Sequence, residues 1–274
     1  MRRRRALGQH FLRDRKVAQA VVDLARLGQD DLCVEIGPGE GALTELLAAR
    51  AGRLLALEID ESLVARLAPR LRRFSHVELR RADVRRFDFT ALPSLRPAPR
   101  GRVVVVGNLP YSVAKPILAR LLDARAAVSE MVLMFQREVA ERIAASPGSK
   151  RYAALSVFCH LFCDVRVAVI VPPVAFRPPP QVESAVVHLT VLPSPRVPLA
   201  DDTLFHQVVK AAFSHRRKSL ANALAGGLRV SVDAARTGLG AAGIDPSRRA
   251  ETLSLDEFAR VAVWFEAEKT LVGK

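Results

Sequence analysis

Residues able to hold a polar ligand recur once per strand–helix unit along the first half of this chain. Gly37, Glu58, Asp83 and Asn108 are 21, 25 and 25 residues apart. Each ends or closely follows a short strand-like run, and two of these runs are strongly apolar, Leu32-Cys33-Val34-Glu35-Ile36 before Gly37 and Val103-Val104-Val105-Val106-Gly107 before Asn108. Runs this short and this rich in branched residues read as buried strands. The spacing matches one strand plus one helix and its turns. The four positions therefore fall in phase, at the carboxyl ends of neighbouring strands, where open α/β sheets bind ligands. Any one of them alone can serve as a helix cap. Four in phase point to one shared cleft.

Helical patterns over residues 19–27, 42–50, 62–73, 115–122 and 137–145 alternate with strands at 31–36, 53–59, 76–80, 103–106 and 128–135. Such alternation predicts an α/β fold, a mostly parallel Rossmann-like sheet with helices on both faces. After Pro147-Gly148-Ser149 the pattern changes. Residues 153–170 and 184–192 read as late strands. Between them the closely spaced prolines of 171–180 predict an extended, rigid loop with Phe176 exposed on it. Pro193, Pro195 and Pro198 read as a linker, and from Asp201 onward everything reads as helix, over 201–213, 216–224, 232–242 and 255–269. The expectation is a sheet domain over residues 1–195 and a smaller all-helical domain over 196–274.

The formal net charge is +14, and basic residues cluster at 2–5, 13–16, 80–86 and 216–218. An excess of that sign points to a polyanionic partner, nucleic acid above a membrane surface. Aromatic content is only 5%, which argues against wide stacking platforms. No run is long and apolar enough to span a bilayer, and the N-terminal arginines lead into no apolar segment of a secretory signal. Three cysteines make no disulfide framework, which suits a reducing, cytoplasmic setting. Cys159-His160-x-x-Cys163 has no second ligand pair and reads as buried thiols, with no metal expected.

Gly37-x-Gly39-x-x-Ala42 satisfies a relaxed dinucleotide fingerprint. The charges argue otherwise. A pyrophosphate at a helix N-terminus wants positive potential and free N–H groups. Here Glu40 sits in the loop and Glu45 in the first turns beyond it. Glu35, Glu40, Glu58, Asp60 and Asp83 suit a ligand with positive charge and no phosphate. S-adenosylmethionine fits, with a sulfonium, an ammonium and a ribose diol. Gly37, Gly39 and Gly41 would let the backbone approach its methionine part. Glu58 would accept from both ribose hydroxyls and Asp83 from the adenine amine, with Ile59 and Val84 beside them. At the fourth strand end, Asn108-Leu109-Pro110-Tyr111 suits a second flat base bearing an amine. Asn108 Oδ1 and the Leu109 carbonyl can accept the two amine hydrogens, Pro110 keeps that carbonyl open, and Tyr111 can stack. The bland reading is an ordinary strand-to-helix turn.

With these motifs in hand the chain resembles the class I methyltransferases. More narrowly, it is similar to the bacterial small-subunit rRNA adenine dimethyltransferase family. Gly8-Gln9-His10-Phe11-Leu12, the helix from Gln136 to Arg142, Val171-Pro172-Pro173-x-x-Phe176-x-Pro178-x-Pro180 and Phe213-x-x-Arg216-Arg217-Lys218 carry the resemblance over nearly the whole chain. It implies that His10, Leu12, Glu35, Gly37, Gly39, Gly41, Glu58, Ile59, Asp83, Val84 and Asn108 hold S-adenosylmethionine. It implies that Asn108, Leu109, Pro110, Tyr111 and Phe176 hold the target base, with Tyr111 and Phe176 on its two faces. Arg216, Arg217 and Lys218 would contact RNA. The implied reaction is dimethylation at N6 of two adjacent adenosines near the 3′ end of 16S rRNA, in an immature 30S subunit, by a monomer. The alternatives are a large-subunit enzyme of the macrolide-resistance type and a non-catalytic RNA-binding assembly factor. Gln181 and Glu183 stand where the family usually has Lys and Asp, and Ala153-Ala154 where it often has Gly-Arg.

Overall fold

The structure is a computed structural model that describes residues 10–215 and 217–272. Arg2 to Arg5, Gly8, Gln9 and Arg216 lie outside the described residues. Two compact units form. One takes the described residues through Glu141 together with Cys163–Val191; the other takes Arg142–Phe162 and the chain from Leu192 onward.

The first unit holds β1 (Phe11–Leu12), α1 (Arg15–Leu24), β2 (Leu32–Ile36), α2 (Thr44–Ala48), β3 (Arg53–Glu58), α3 (Glu61–Leu71), β4 (Val77–Arg81), β5 (Val103–Asn108), α4 (Ala114–Asp123) and β6 (Glu130–Gln136). α5 (Arg137–Ile143) follows, and after α6 (Ala154–Phe162) the sheet resumes with β7 (Cys163–Val171), β8 (Phe176–Arg177) and β9 (Ser184–Val191). Seven strands line up in the order β4-β3-β2-β5-β6-β9-β7. β2 through β6 pair in parallel, and β9 runs antiparallel to both β6 and β7. β2 and β5 are central and covered on both faces, so Leu32, Val34, Val104 and Val105 have no exposed surface. Full burial of each such side chain contributes about 1.5–3 kcal/mol. β4 is an edge strand and carries Arg80 and Arg81 outward, which suits an edge that must not pair further.

Helix starts follow local rules. Asp14 caps α1 by accepting from Lys16 N and Val17 N, and Asp60 caps α3 by accepting from Ser62 N. Pro69 sits in the last turn of α3 without ending it. β1 and β8 form a two-stranded ladder, Leu12 opposite Phe176, and Ala175 O accepts from Arg13 N and Asp14 N. This ladder ties the N-terminal segment to the proline-rich loop.

The second unit adds α7 (Asp202–Ala212), α8 (Leu220–Leu228), α9 (Val232–Ala241) and α10 (Leu255–Val272) to α6. Three expectations need correction. Residues 153–170 are not one strand: the run is α6 followed by β7. The run is mostly apolar, with Ser156, His160, Asp164 and Arg166 too sparse to set a period, and such a run cannot be parted into helix and strand by periodicity. α6 stacks Phe158 on His206 of α7 at 4.4 Å between ring centroids. The chain therefore divides differently from a single cut near Pro195. Lastly, residues 217–219 are a turn, and α8 begins at Leu220, where Arg248 O and Pro246 O take the N–H groups of Leu220 and Ala221. Cys33, Cys159 and Cys163 are buried thiols. Among the described residues no helix is long and apolar enough to cross a membrane, and no cluster of His, Cys, Asp and Glu could hold a metal.

Candidate active site

The carboxyl ends of β4, β3, β2 and β5 open onto one cleft, lined by Asp83, Glu58, Gly37 and Asn108 together. His10, Leu12, Glu35, Gly39, Ile59, Val84, Leu109, Pro110 and Tyr111 line the same cleft. The in-phase spacing thus becomes a shared wall.

The Gly37–Gly41 loop needs its glycines. Gly37 has φ +68° and Gly39 φ +58°, a region where a side chain is strained. A Cβ on Gly39 would also meet the Phe11 ring at 3.1 Å. Gly41 faces away from the cleft. A Cβ there would meet Leu67 at 2.6 Å, so its role is close packing of the loop on α3.

Glu58 is 4% exposed and accepts three backbone hydrogen bonds: Gly39 N at 3.0 Å on Oε2, and Ile59 N and Asp60 N at 2.9 Å each on Oε1. An ionised carboxylate offers about four acceptor sites. One further site remains, on Oε2, so accepting from both hydroxyls of a ribose needs a shared bond. Burial raises its pKa, against the pull of those N–H groups. Glu35 is deeper. Burial pushes its carboxyl up to about 8, opposed by the nearby Thr44 hydroxyl and helped by the Glu58 charge. Neither Glu35 Oε2 nor Thr44 Oγ1 makes a hydrogen bond. A buried carboxyl with an orphaned oxygen beside a cleft can ionise against a cationic ligand, which supplies the partner it lacks.

At the other end, Asn108 Nδ2 donates to His10 O at 3.0 Å. A carbonyl only accepts, so the contact fixes which end of the amide faces His10. Asn108 Oδ1 is thereby the end left for a donor. Gly107 precedes it because a Cβ there would meet Ile36 O at 2.9 Å. The Tyr111 hydroxyl is 2.7 Å from Ser184 Oγ, which anchors the ring from β9. His10 lies near that ring, 5.5 Å between centroids, and its Nδ1 meets Pro178 O at 2.8 Å.

Phe176 departs from expectation. It is 4% exposed and packs in the core with Leu12, Val22 and Val186. Its pairing opposite Leu12 turns it inward, so it does not line the cleft. Arg217 and Lys218 are exposed in the second unit. Among the cleft residues given no role by the sequence are Phe11 and Arg85. Phe11 sits within a two-residue strand, too short for any periodicity. Arg85 lies two residues past Asp83 and pairs with it, Arg85 Nη2 at 2.7 Å from Asp83 Oδ2; that pairing holds the Asp83 carboxyl below the usual carboxylate range.

The strand order, the glycine loop and a wall of acceptors define a class I methyltransferase. Similarity to known proteins narrows the class. A model described as ribosomal RNA adenine dimethylase matches residues 1–267. The chain is 45% identical over 263 residues to "Ribosomal RNA small subunit methyltransferase A" of Geobacter metallireducens, covering 96% of this chain and 95% of that protein. It is 46% identical over 265 residues to the protein so named from Pelotomaculum thermopropionicum, covering 94% and 90%. A crystal structure of a dimethyladenosine transferase from Plasmodium falciparum superposes with a TM-score of 0.77 at 22% identity, covering 94% of this chain and 98% of that one. The chain belongs to the ribosomal RNA adenine dimethylase family.

Proposed function

We propose that the protein dimethylates N6 of two adjacent adenosines near the 3′ end of 16S rRNA, acting in the cytoplasm as a monomer on an immature 30S subunit. The observation that carries the catalytic reading is the fixed Asn108 amide: its nitrogen is spent on His10 O, and its oxygen is left for a donor. The small-subunit target is supported by relatives of that name along nearly the full length, above the large-subunit alternative. An intact acceptor set in the cleft favours an enzyme over a non-catalytic assembly factor.

The orphaned, buried Glu35 carboxyl and the glycine-floored loop fit the cleft to S-adenosylmethionine. When bound, that cofactor supplies an electrophilic methyl group. The protein's own residues do the rest. Glu58 offers its remaining acceptor site to the ribose hydroxyls, and Asp83 accepts from the adenine amine. Glu35, protonated at neutral pH in the cofactor-free protein, supplies a counter-charge by ionising once a cation lies beside it. The target adenine amine is a weak nucleophile, because its lone pair is delocalised into the ring. Asn108 Oδ1 and the Leu109 carbonyl accept its two hydrogens and turn the lone pair toward the cleft. Rate enhancement comes mainly from this positioning. After the first methylation one N–H remains, so the second passes with only one of the two acceptors in use. No general base is required, since the proton leaves once the nitrogen has become cationic. Stacking on the extruded base falls to Tyr111, because Phe176 is a core residue.

Incubation with labelled cofactor and small subunits lacking these methyl groups tests the reading. Mapping of the label to two adjacent adenosines near the 3′ end of 16S rRNA is expected. Label in large-subunit RNA, or none in either, overturns it.

A further inference from the structure

The geometry points to Arg85 as a positioning residue for the cofactor: its guanidinium fork locks the Asp83 carboxylate so that one oxygen lone pair is presented to the adenine amine. This rests on the reading above, in which Asp83 meets that amine.

Both residues line the cleft, just past the end of β4. Asp83 Oδ1 accepts from the Arg85 backbone N at 3.0 Å and from its Nε at 3.0 Å. Asp83 Oδ2 accepts from Nη2 at 2.7 Å. Three of about four acceptor sites are therefore used, and the one remaining lies on Oδ2. The backbone bond alone closes a turn around Oδ1 and leaves Oδ2 free to swing about the side-chain torsion. The two-pronged contact from Nε and Nη2 removes that freedom, because a planar guanidinium fixes both carboxylate oxygens at once.

An exposed ion pair two residues apart is often a surface ornament worth little. Arg85 differs in its target. The carboxylate it fixes is the acceptor at the fourth wall of the cleft, and the Arg85 fork is what holds both of its oxygens. Ordering that acceptor in advance spares the cofactor the cost of ordering it on binding. The predicted consequence has a definite sign. Losing the fork weakens binding of an adenine-bearing ligand, although it also removes a competing donor.

The test uses two probes, S-adenosylhomocysteine and its deaminated analogue S-inosylhomocysteine, which has no exocyclic amine. Their dissociation constants are measured by calorimetry for the wild-type protein, Arg85→Leu, Asp83→Ala and the double variant. Arg85→Leu is expected to weaken S-adenosylhomocysteine about fivefold, to leave S-inosylhomocysteine unchanged, and to have no further effect on the Asp83→Ala background. Equal weakening of both probes, or tighter binding of S-adenosylhomocysteine, overturns the positioning role. If Asp83→Ala selectively weakens S-adenosylhomocysteine while Arg85→Leu does nothing, the role of Asp83 stands and that of Arg85 falls. If Asp83→Ala leaves the preference between the probes unchanged, both fall together.

Discussion

Asn108 and His10 are 98 residues apart in sequence, yet the Asn108 amide nitrogen donates to the His10 carbonyl at 3.0 Å. The N-terminal segment thus sets the orientation of the side chain that presents an acceptor to the target base. Asn108→Ala removes that acceptor. Single-turnover methyl transfer is expected to fall by about a hundredfold or more, with RNA affinity nearly unchanged. Equal loss of transfer and binding would contradict the assigned role.

Tyr111 separates stacking from anchoring. Tyr111→Phe keeps the ring and removes only the 2.7 Å hydrogen bond with Ser184, a change of about 1 kcal/mol in stability. Tyr111→Ala removes the platform as well. It is expected to weaken capture of the target base by about 1–3 kcal/mol, read as a rise in KM for the RNA with cofactor affinity preserved.

Gly39→Ala places a side chain at φ +58°, 3.1 Å from the Phe11 ring. The backbone strain is about 1–2 kcal/mol, and the loop must shift to relieve the contact. Cofactor affinity measured by calorimetry is expected to drop while RNA binding holds. The same substitution at Gly41 is expected to lower the melting temperature, since that position faces Leu67 rather than the cleft.

Glu35 gives the fold a pH signature. Burial raises its carboxyl from 4.5 to about 8. The folded protein therefore holds a proton that the unfolded chain has released between these values. Stability from this group is full below pH about 4.5 and is lost as pH rises to about 8. Glu35→Gln removes the titration. Chemical denaturation of the cofactor-free protein across that range is expected to show a decline with pH that the variant lacks. Parallel curves would mean that Glu35 ionises freely in the folded state.

Arg217 and Lys218 are exposed in the second unit. Replacing both with Gln is expected to reduce the slope of log affinity for RNA against log salt by about 0.7–0.9 for each phosphate that is no longer neutralised. An unchanged slope moves the RNA surface elsewhere.

Much of the site was legible in the chain itself. Gly37 and Asn108 close short, apolar, branched runs buried on both faces, which admit few structures, and Glu58 and Asp83 recur one strand–helix unit apart between them. Their phase therefore survived into the fold as neighbouring strand ends. Where information was lost, it was carried by distant contacts. Phe176 reads as exposed from its proline neighbours, but its environment is set by Leu12 across a two-residue ladder. α6 and β7 share one apolar run, and only packing of Phe158 against His206 shows which part is helix. Gly41 belongs to the same loop as Gly37 and Gly39, yet it points at α3, a direction that spacing does not encode. Arg85 offers no pattern, because its meaning lies in a fork aimed at Asp83.

A crystal grown with S-adenosylhomocysteine and adenosine tests the central claim most directly. The account predicts the homocysteine ligand along the ends of β4, β3 and β2, and the adenosine amine within hydrogen-bond distance of both Asn108 Oδ1 and the Leu109 carbonyl. An amine turned away from those two oxygens, or a homocysteine ligand bound outside the cleft, would contradict it.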